Sequence, residues 1–464
     1  MPTAKPPHRF SFYSTYPGTS AAELFTWHSR EGALERLLPP WEKTTVLFRR
    51  GGLAPGSEVG LRMHFGPIPF RFHARHIAWR PGEMFADTQE RGPFASWTHR
   101  HFFADCPEGA QLHDQIDYAL PGHAFLPAWA NRFAERGLRR LFRHRQAVLT
   151  ADLNLHRRCS LTPLRILISG ASGVLGRALR PLLTTGGHQV YTLVRRPVAS
   201  AREIYWDPQA GLLRPEDLPE LDAVIHLAGE YIGLSRWSEE QKQRVLSSRI
   251  DGTALLVRTL AAVNRPPKVL LTASATGYYG DTGSGEINES SPAGTDFISE
   301  VCRRWEDAAA PAQAAGIRTV VMRLGVGLTP QGGGLQRILA TAPLGFIRRF
   351  GSGSQYISWI SSDDMIAAML HCLTCPEIAG PVNIVAPEPA TNAGFMTTLA
   401  RLTGRPLLPP LPAEILRLFY GQMASEIVLS GCRASPRKLL KSGFTFRHST
   451  LESALRYLLG LHRE

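Results

Sequence analysis

At 464 residues, 44% hydrophobic and 20% charged, the chain has the make-up of a globular protein and enough length for two or three packed domains. No apolar run approaches the ~18 residues of a membrane-spanning helix, and six scattered cysteines exclude a disulfide-stapled scaffold. The formal charge of +13 favours anionic partners such as nucleotides. No nucleic-acid recognition motif accompanies that charge, so nucleic acid is not an expected partner. The opening residues Met1 to Pro7 lead into no apolar core and read as no secretory signal, so a reducing cytoplasm is the expected location.

Residues 8–158 read as strands with a helix near each end. Arg9 to Thr15 alternates like a strand. Ser20, with Glu23 three residues on, opens a helix over Ala21 to Leu38. Short strands are predicted near Thr44–Arg49, Glu58–Phe65, Pro69–Trp79, Met84–Glu90, Ala95–Phe103 and Gln111–Ala119. A long helix over His123 to Asp152 carries Phe125, Trp129, Phe133, Leu138, Leu141 and Phe142 as its apolar stripe. This order predicts a curved antiparallel sheet around a helix. Phe94-Ala95-Ser96-Trp97-Thr98-His99-Arg100-His101-Phe102 and Asp114-Gln115-Ile116-Asp117-Tyr118 resemble the polyketide-cyclase/START-like (helix-grip) superfamily. That resemblance implies a hydrophobic small-molecule ligand between sheet and helix. His99 and His101 share one strand face, but the sequence shows neither a third ligand nor an orienting acid for them. They read as packing residues, with no metal expected. The arginines of the last helix read as a solvated face.

Leu155 to Pro163 marks a boundary, and the chain beyond it has a different texture. Ile166-Leu167-Ile168 is a strand buried on both faces, and Gly170, Gly173 and Gly176 form a G-x-x-G-x-x-G loop opening a helix through Thr185. Gly186-Gly187 ends that helix, and Val190 to Val194 is the next strand. A glycine loop between strand and helix is the context for a dinucleotide: the glycines admit a tight turn and a close pyrophosphate, and the helix N-terminus offers amides and a positive dipole end. Arg195-Arg196 ends the second strand, with no acid before Glu203. Arginine there accommodates a 2′-phosphate, so NADP(H) is expected over NAD.

Strands and helices then alternate, as in a doubly wound parallel α/β sheet of the Rossmann type. Strands are predicted at Ala223–Gly229, Val269–Ser274 and Thr319–Leu324, and helices from Ser238 to Val263 and over Asp296 to Glu306. The loop Ser169–Gly176, His226-Leu227-Ala228-Gly229, the Ser274–Asp281 turn and Trp359-Ile360-Ser361-Ser362-Asp363-Asp364 resemble an extended short-chain dehydrogenase/reductase of the NAD-dependent epimerase/dehydratase type. Trp237, Ser248-Arg249-Ile250, Trp305-Glu306 and Ser358-Trp359-Ile360 are similar to its atypical, cell-division-inhibitor-like members, which end in a small domain of unknown function. Gly421 to Glu426, Ser435 to Leu439 and Gly443 to Phe446 fit that ending. Domains are therefore expected at 8–156, 164–400 and 408–460.

The resemblance implies a cofactor on Gly170, Ser172, Gly173, Val174, Leu175 and Gly176, with Arg195 and Arg196 on its extra phosphate. It adds Leu227, Ala228 and Gly229 from the next strand end, then Ala273, Ser274 and Arg323. The Tyr and Lys that such reductases use for proton transfer are missing: the two registers place Phe297 and Val301, or Ile298 and Cys302, at those positions. Ser274, Thr276, Tyr279 and Glu300 are the remaining candidates, with Tyr278 and Cys302 nearby. Cys372 and Cys375, without a second pair, read as helix-end residues. An oxidoreductase or epimerase-like enzyme acting on a small carbonyl or hydroxyl substrate is expected. A nucleotide-sensing binding module is the rival.

Overall fold

A computed structural model describes residues 7–66, 68–122, 127–159, 162–233, 236–341 and 345–461. The start of the predicted long helix, with Phe125, and Ser160 of the predicted linker lie outside them, as do residues 1–6. The chain divides into a compact unit through Arg158 and a second from Cys159 onward.

The first unit is an antiparallel sheet with helices. Strands β1 (His8–Pro17), β2 (Thr45–Arg50), β3 (Glu58–Phe65), β4 (Ile68–Arg80), β5 (Met84–Arg91), β6 (Ser96–Cys106) and β7 (Gly109–Ala119) pair in the order β1-β7-β6-β5-β4-β3-β2. Ser20 caps helix α1 (Ala21–Ser29) by accepting the amide of Glu23. The single helix expected through Leu38 is two: Gly32, at φ 91°, turns the chain before α2 (Ala33–Leu37). The long helix α3 (Ala128–Arg158) buries Leu138 and Phe142 with Phe10, Ile116 and Tyr118 of the sheet. Trp129 and Phe133 do not share that stripe and are 62% exposed. At 3.6 residues per turn, Trp129 lies half a turn round from Leu138.

The second unit is built on an all-parallel sheet. Its strands are β8 (Arg165–Ser169), β9 (Gln189–Val194), β10 (Glu203–Tyr205), β11 (Ala223–His226), β12 (Val269–Ala275), β13 (Arg318–Leu324) and β14 (Gly380–Ile384). They lie in the order β10-β9-β8-β11-β12-β13-β14. Helices α4 (Val174–Thr185), α5 (Glu239–Ala262), α6 (Phe297–Ala309) and α7 (Ser362–Thr374) connect or follow them. Ile166, Leu167, Ile168, Val224, Ile225, Leu270 and Leu271 are sealed from solvent, as strands covered on both faces require. The chain leaves β8 toward β9 and returns on the other side at β11, so a crevice opens at the carboxyl ends of those two strands. Residues beyond 408 belong to this unit: Leu407–Leu411 pairs with Ile347–Phe350, and Arg433–Ala434 with Glu286–Ile287.

Candidate functional site

The crevice is built by three glycines with three different reasons. Gly170 stands at φ 71°, and a Cβ there would sit 2.8 Å from the Leu227–Ala228 peptide. A Cβ on Gly176 would lie 2.5 Å from the Gly170 carbonyl oxygen, so this glycine lets α4 start tight against the loop. Gly173 is exposed, and a Cβ there would meet only the Gly170 oxygen, at 3.2 Å. Its outer side is open to a ligand. Because α4 begins at Val174, the amides of Val174, Leu175 and Gly176 have no acceptor within the helix and face an incoming anion. Ser172 is exposed beside them. Gly332, from the glycine-rich stretch after β13, closes on this loop: its Cβ would be 2.5 Å from Val174 Cγ2.

The end of β11 is pinned to the end of β8. Ser169 Oγ accepts the amides of Leu227 (3.1 Å) and Ala228 (3.2 Å). Leu227 and Ala228 are therefore half-buried on the crevice wall, with Gly229 exposed after them. The predicted strand through Gly229 stops at His226: the Leu227 amide still reaches the Ser169 carbonyl at 3.2 Å, but the Ala228 amide turns to the Ser169 hydroxyl instead of a ladder. Arg249 of α5 closes the far side. It is buried, donates to the Glu230 and Val245 carbonyls, and lies over the Trp305 ring. A Cβ on Gly229 would sit 3.2 Å from its Cζ.

The two arginines at the end of β9 are not equivalent. Arg196 Nη1 donates to Glu203 Oε2 at 2.9 Å, and Nη2 pairs with the other carboxylate oxygen. That contact holds the Glu203 carboxyl below its usual range. Arg195 is exposed and makes no hydrogen bond or ion pair among the described residues. Its charge is the one left for a phosphate.

The catalytic candidates are engaged elsewhere. Ser274 Oγ donates to Glu306 Oε1 at 2.7 Å. Glu306 also holds Arg323 in a two-pronged ion pair (2.9 and 2.8 Å), with Arg323 only 3% exposed. Arg323, expected at the cofactor, is thus turned into the protein and stacks 3.5 Å from the Tyr278 ring centre. Burial opposes its charge, but Glu306 and Tyr279 more than offset this and raise its pKa. Tyr279 is sealed in: its hydroxyl donates to Asn383 Oδ1 (2.7 Å) and accepts from Arg323 (3.0 Å). Burial pushes its pKa up to about 12. Thr276 is buried, and Glu300 is half-buried and paired with Arg303. Ala273 is buried within β12.

The helix face that carries the Tyr and Lys in related reductases is filled with apolar contacts. Ile298 and Cys302 pack with Trp237 and Met423, and Ala275, Tyr278 and Phe297 lie against them. Burial lifts the Cys302 thiol to about 12, so it is no thiolate. The parts played by Glu306 and Met423 are not legible in the sequence. Glu306 belongs to the Trp305-Glu306 pair of the family resemblance, yet its role depends on β13 lying beside β12, which brings Arg323 opposite Ser274.

In the first unit the register does what the sequence hid. Asp114 on β7 stands opposite His101, and Asp87 on β5 opposite His99. Both orienting acids are present, on strands separate from the histidines.

Residues 166–385 match the model of the NAD dependent epimerase/dehydratase family, and residues 411–458 match a domain of unknown function, DUF1731. The chain is 40% identical over 292 residues to an epimerase family protein of Mycobacterium tuberculosis, covering 63% of this chain and 96% of that protein. It is 35% identical over 299 residues to the human epimerase family protein SDR39U1, covering 64% of this chain and 100% of that one. The crystal structure of a nucleoside-diphosphate sugar epimerase from Corynebacterium glutamicum matches with a TM-score of 0.80 and 31% identity, over 98% of this chain and 91% of that one. The crystal structure of human SDR39U1 (isoform 2) with NADPH matches at TM-score 0.59 and 33% identity, over 64% of this chain and 99% of that one. With the glycine loop, the parallel sheet and the C-terminal segment all accounted for by these matches, this chain belongs to the NAD-dependent epimerase/dehydratase family.

Proposed function

We propose that the second unit binds NADP(H) across the ends of β8 and β11. On this reading the chain is an oxidoreductase or epimerase-like enzyme for a small carbonyl or hydroxyl compound. The observation that carries the reading is the open cradle at Gly173, with an unpaired arginine, Arg195, at the neighbouring strand end. Helix α4 directs the amides of its first turn at the diphosphate. Arg195 meets the 2′-phosphate, while Arg196 neutralises Glu203, the acid on the neighbouring strand end. Ser169 holds the Leu227–Ala228 edge in place for the adenosine side. When bound, the nicotinamide would supply the hydride. The solved human relative with NADPH supports this choice of cofactor.

On this reading the buried apolar cluster of Trp237, Ile298, Cys302 and Met423 borders the substrate side, which favours an apolar substrate. A specific observation supports a second reading, a non-catalytic NADP(H)-sensing module: Ser274 and Tyr279 both spend their hydroxyls on internal partners. Following NADPH fluorescence with purified protein and a panel of apolar and polar carbonyl compounds separates the two. Turnover supports the enzyme; tight NADPH binding without turnover on any of them supports the sensor.

The first unit we read as a helix-grip domain, on the strength of its curved antiparallel sheet and long C-terminal helix. A cavity there, lined by Tyr16, His28, His101, Asp114, Phe142 and Arg145, is about 20 Å³. That is room for one water, too little for the hydrophobic ligand expected from the resemblance. No described helix is long and apolar enough to cross a membrane.

A further inference from the structure

The face of the first sheet turned toward α3 carries a cluster that no packing argument requires. Three neighbouring strands place His76 opposite Asp87, and Asp87 opposite His99. One strand further, Asp114 stands opposite His101. The His99 ring meets Phe142 of α3 edge-on at 5.6 Å, so the group lies under the helix. His99 is 5% and Asp114 3% exposed.

We propose that Asp87, His99 and His101 form a binding site for one divalent first-row transition metal ion of the zinc type. Asp114 holds the imidazoles from behind, and a water fills the remaining position.

The distances carry this. His99 Nε2 lies 3.1 Å from Asp114 Oδ1 and donates its proton there, which leaves the Nδ1 lone pair facing Asp87 Oδ2 at 4.0 Å. His101 mirrors it: Nδ1 lies 2.7 Å from the same Asp114 oxygen, and Nε2 lies 3.9 Å from Asp87 Oδ2. One ligand atom from each of the three residues falls within 4.8 Å of the others. Donors on one tetrahedral zinc stand about 3.3 Å apart, given bonds of 2.0–2.2 Å. The two gaps to Asp87 are too long for hydrogen bonds and need about 0.6–0.7 Å of closure to grip an ion, and no pair of ligand atoms needs more than about 1.5 Å. A carboxylate behind a metal-binding imidazole, fixing its tautomer, is the usual outer partner of such sites. The His101 Nδ1 contact is short but departs from hydrogen-bond direction, and the ring is held by stacking on Phe85 at 4.1 Å.

Charge points the same way. The charged or titratable groups facing the cluster are Arg145, His28 and His76. Burial lowers the pKa of both His99 and His101, which keeps them as neutral ligands. Asp87 and Asp114, the two carboxyl groups of the cluster, then stand against the one cation Arg145, which leaves an excess of negative charge. A dication offsets it.

The test uses the full chain, stripped with a chelator and titrated with Zn²⁺ by calorimetry, with Co²⁺ absorption as a report on geometry. One tight equivalent is expected, with the visible spectrum of tetrahedral cobalt bound to nitrogen and oxygen. Asp87→Asn and His99→Gln each weaken that equivalent about 100-fold or more, and Asp114→Asn weakens it about 10- to 100-fold. Circular dichroism of the metal-free variants separates lost ligation from lost fold, and whichever of D87N and H99Q folds is decisive. The double variant C372S/C375S retains the site. Absence of a tight equivalent overturns the proposal. So does an equivalent that survives D87N or H99Q, or one that disappears in C372S/C375S.

Discussion

Ser169 Oγ and His226 Nδ1 lie 2.6 Å apart, and the direction of that hydrogen bond is fixed. Ser169 already accepts the Leu227 and Ala228 amides, so its one proton goes to His226 Nδ1. His226 is therefore the neutral Nε2–H tautomer. Its Nε2 donates to Thr253 Oγ1 at 2.9 Å, and the same oxygen accepts Trp305 Nε1. The crevice wall is thus tied through a buried relay to α5 and α6. Protonating His226 would reverse one bond and leave Ser169 one acceptor short.

This relay makes stability depend on pH. Burial lowers the His226 pKa from 6.5 to about 4. The unfolded chain then binds the extra proton, so this contribution is fully present above pH 6.5 and is lost as pH falls through 4. It is worth on the order of 3 kcal/mol. His28 in the first unit is lowered to about 4 as well, so the readout is a difference. Urea unfolding of the second unit between pH 7 and pH 4 should show a shallower loss of stability in His226→Gln than in the natural chain. Equal slopes would refute the assignment.

The three loop glycines should respond differently to alanine. Gly173→Ala presses its methyl on one atom alone, the Gly170 oxygen at 3.2 Å, which a shift of a few tenths of an ångström relieves, so the protein folds with a melting temperature within a few degrees, yet loses about 10-fold or more in NADPH affinity. Gly176→Ala and Gly170→Ala press on backbone and destabilise the fold itself, by roughly 1–3 kcal/mol. Thermal melts paired with calorimetry check this. Unchanged affinity in folded G173A would contradict the cradle.

Arg195 and Arg196 should also separate. Arg195→Ala removes the unpaired cation and reduces the preference for NADPH over NADH by about 10-fold or more. Arg196→Ala acts less directly: it frees Glu203 and lowers NADPH affinity by repulsion, an effect that Glu203→Gln in the same chain reverses. Titrations of both nucleotides with each variant distinguish the roles.

The Glu306–Arg323 pair is structural. Glu306→Gln keeps the shape but strands a buried guanidinium, at a cost of about 3–5 kcal/mol in denaturant unfolding. Tyr279→Phe, which removes one hydroxyl between Arg323 and Asn383, costs about 1 kcal/mol and leaves any turnover of NADPH intact. Abolished turnover in a folded Y279F would restore Tyr279 as the proton donor.

The extent to which the sequence announced this molecule depends on the range of each interaction. Gly170, Gly173 and Gly176 were legible because their task is local: a turn, an approach and a helix start within seven residues. Strands such as Glu58–Phe65 were legible for the same reason, through two-residue alternation. The helix break at Gly32 was hidden because an isolated glycine in an apolar pattern carries little signal. The commitments of Ser274, Tyr279 and Arg323 were beyond reach, since they depend on β12, β13 and β14 lying side by side. The acids behind His99 and His101 were hidden likewise, placed there by cross-strand register alone.

Calorimetric titration of the purified full chain with NADPH and with NADH bears most directly on the central claim, that the Gly173 cradle and Arg195 together hold a 2′-phosphorylated dinucleotide. The account predicts one equivalent of NADPH bound at least 10-fold more tightly than NADH, the ratio narrowing as salt screens the phosphate contact. Tighter binding of NADH, or no binding of either nucleotide to folded protein, would contradict it.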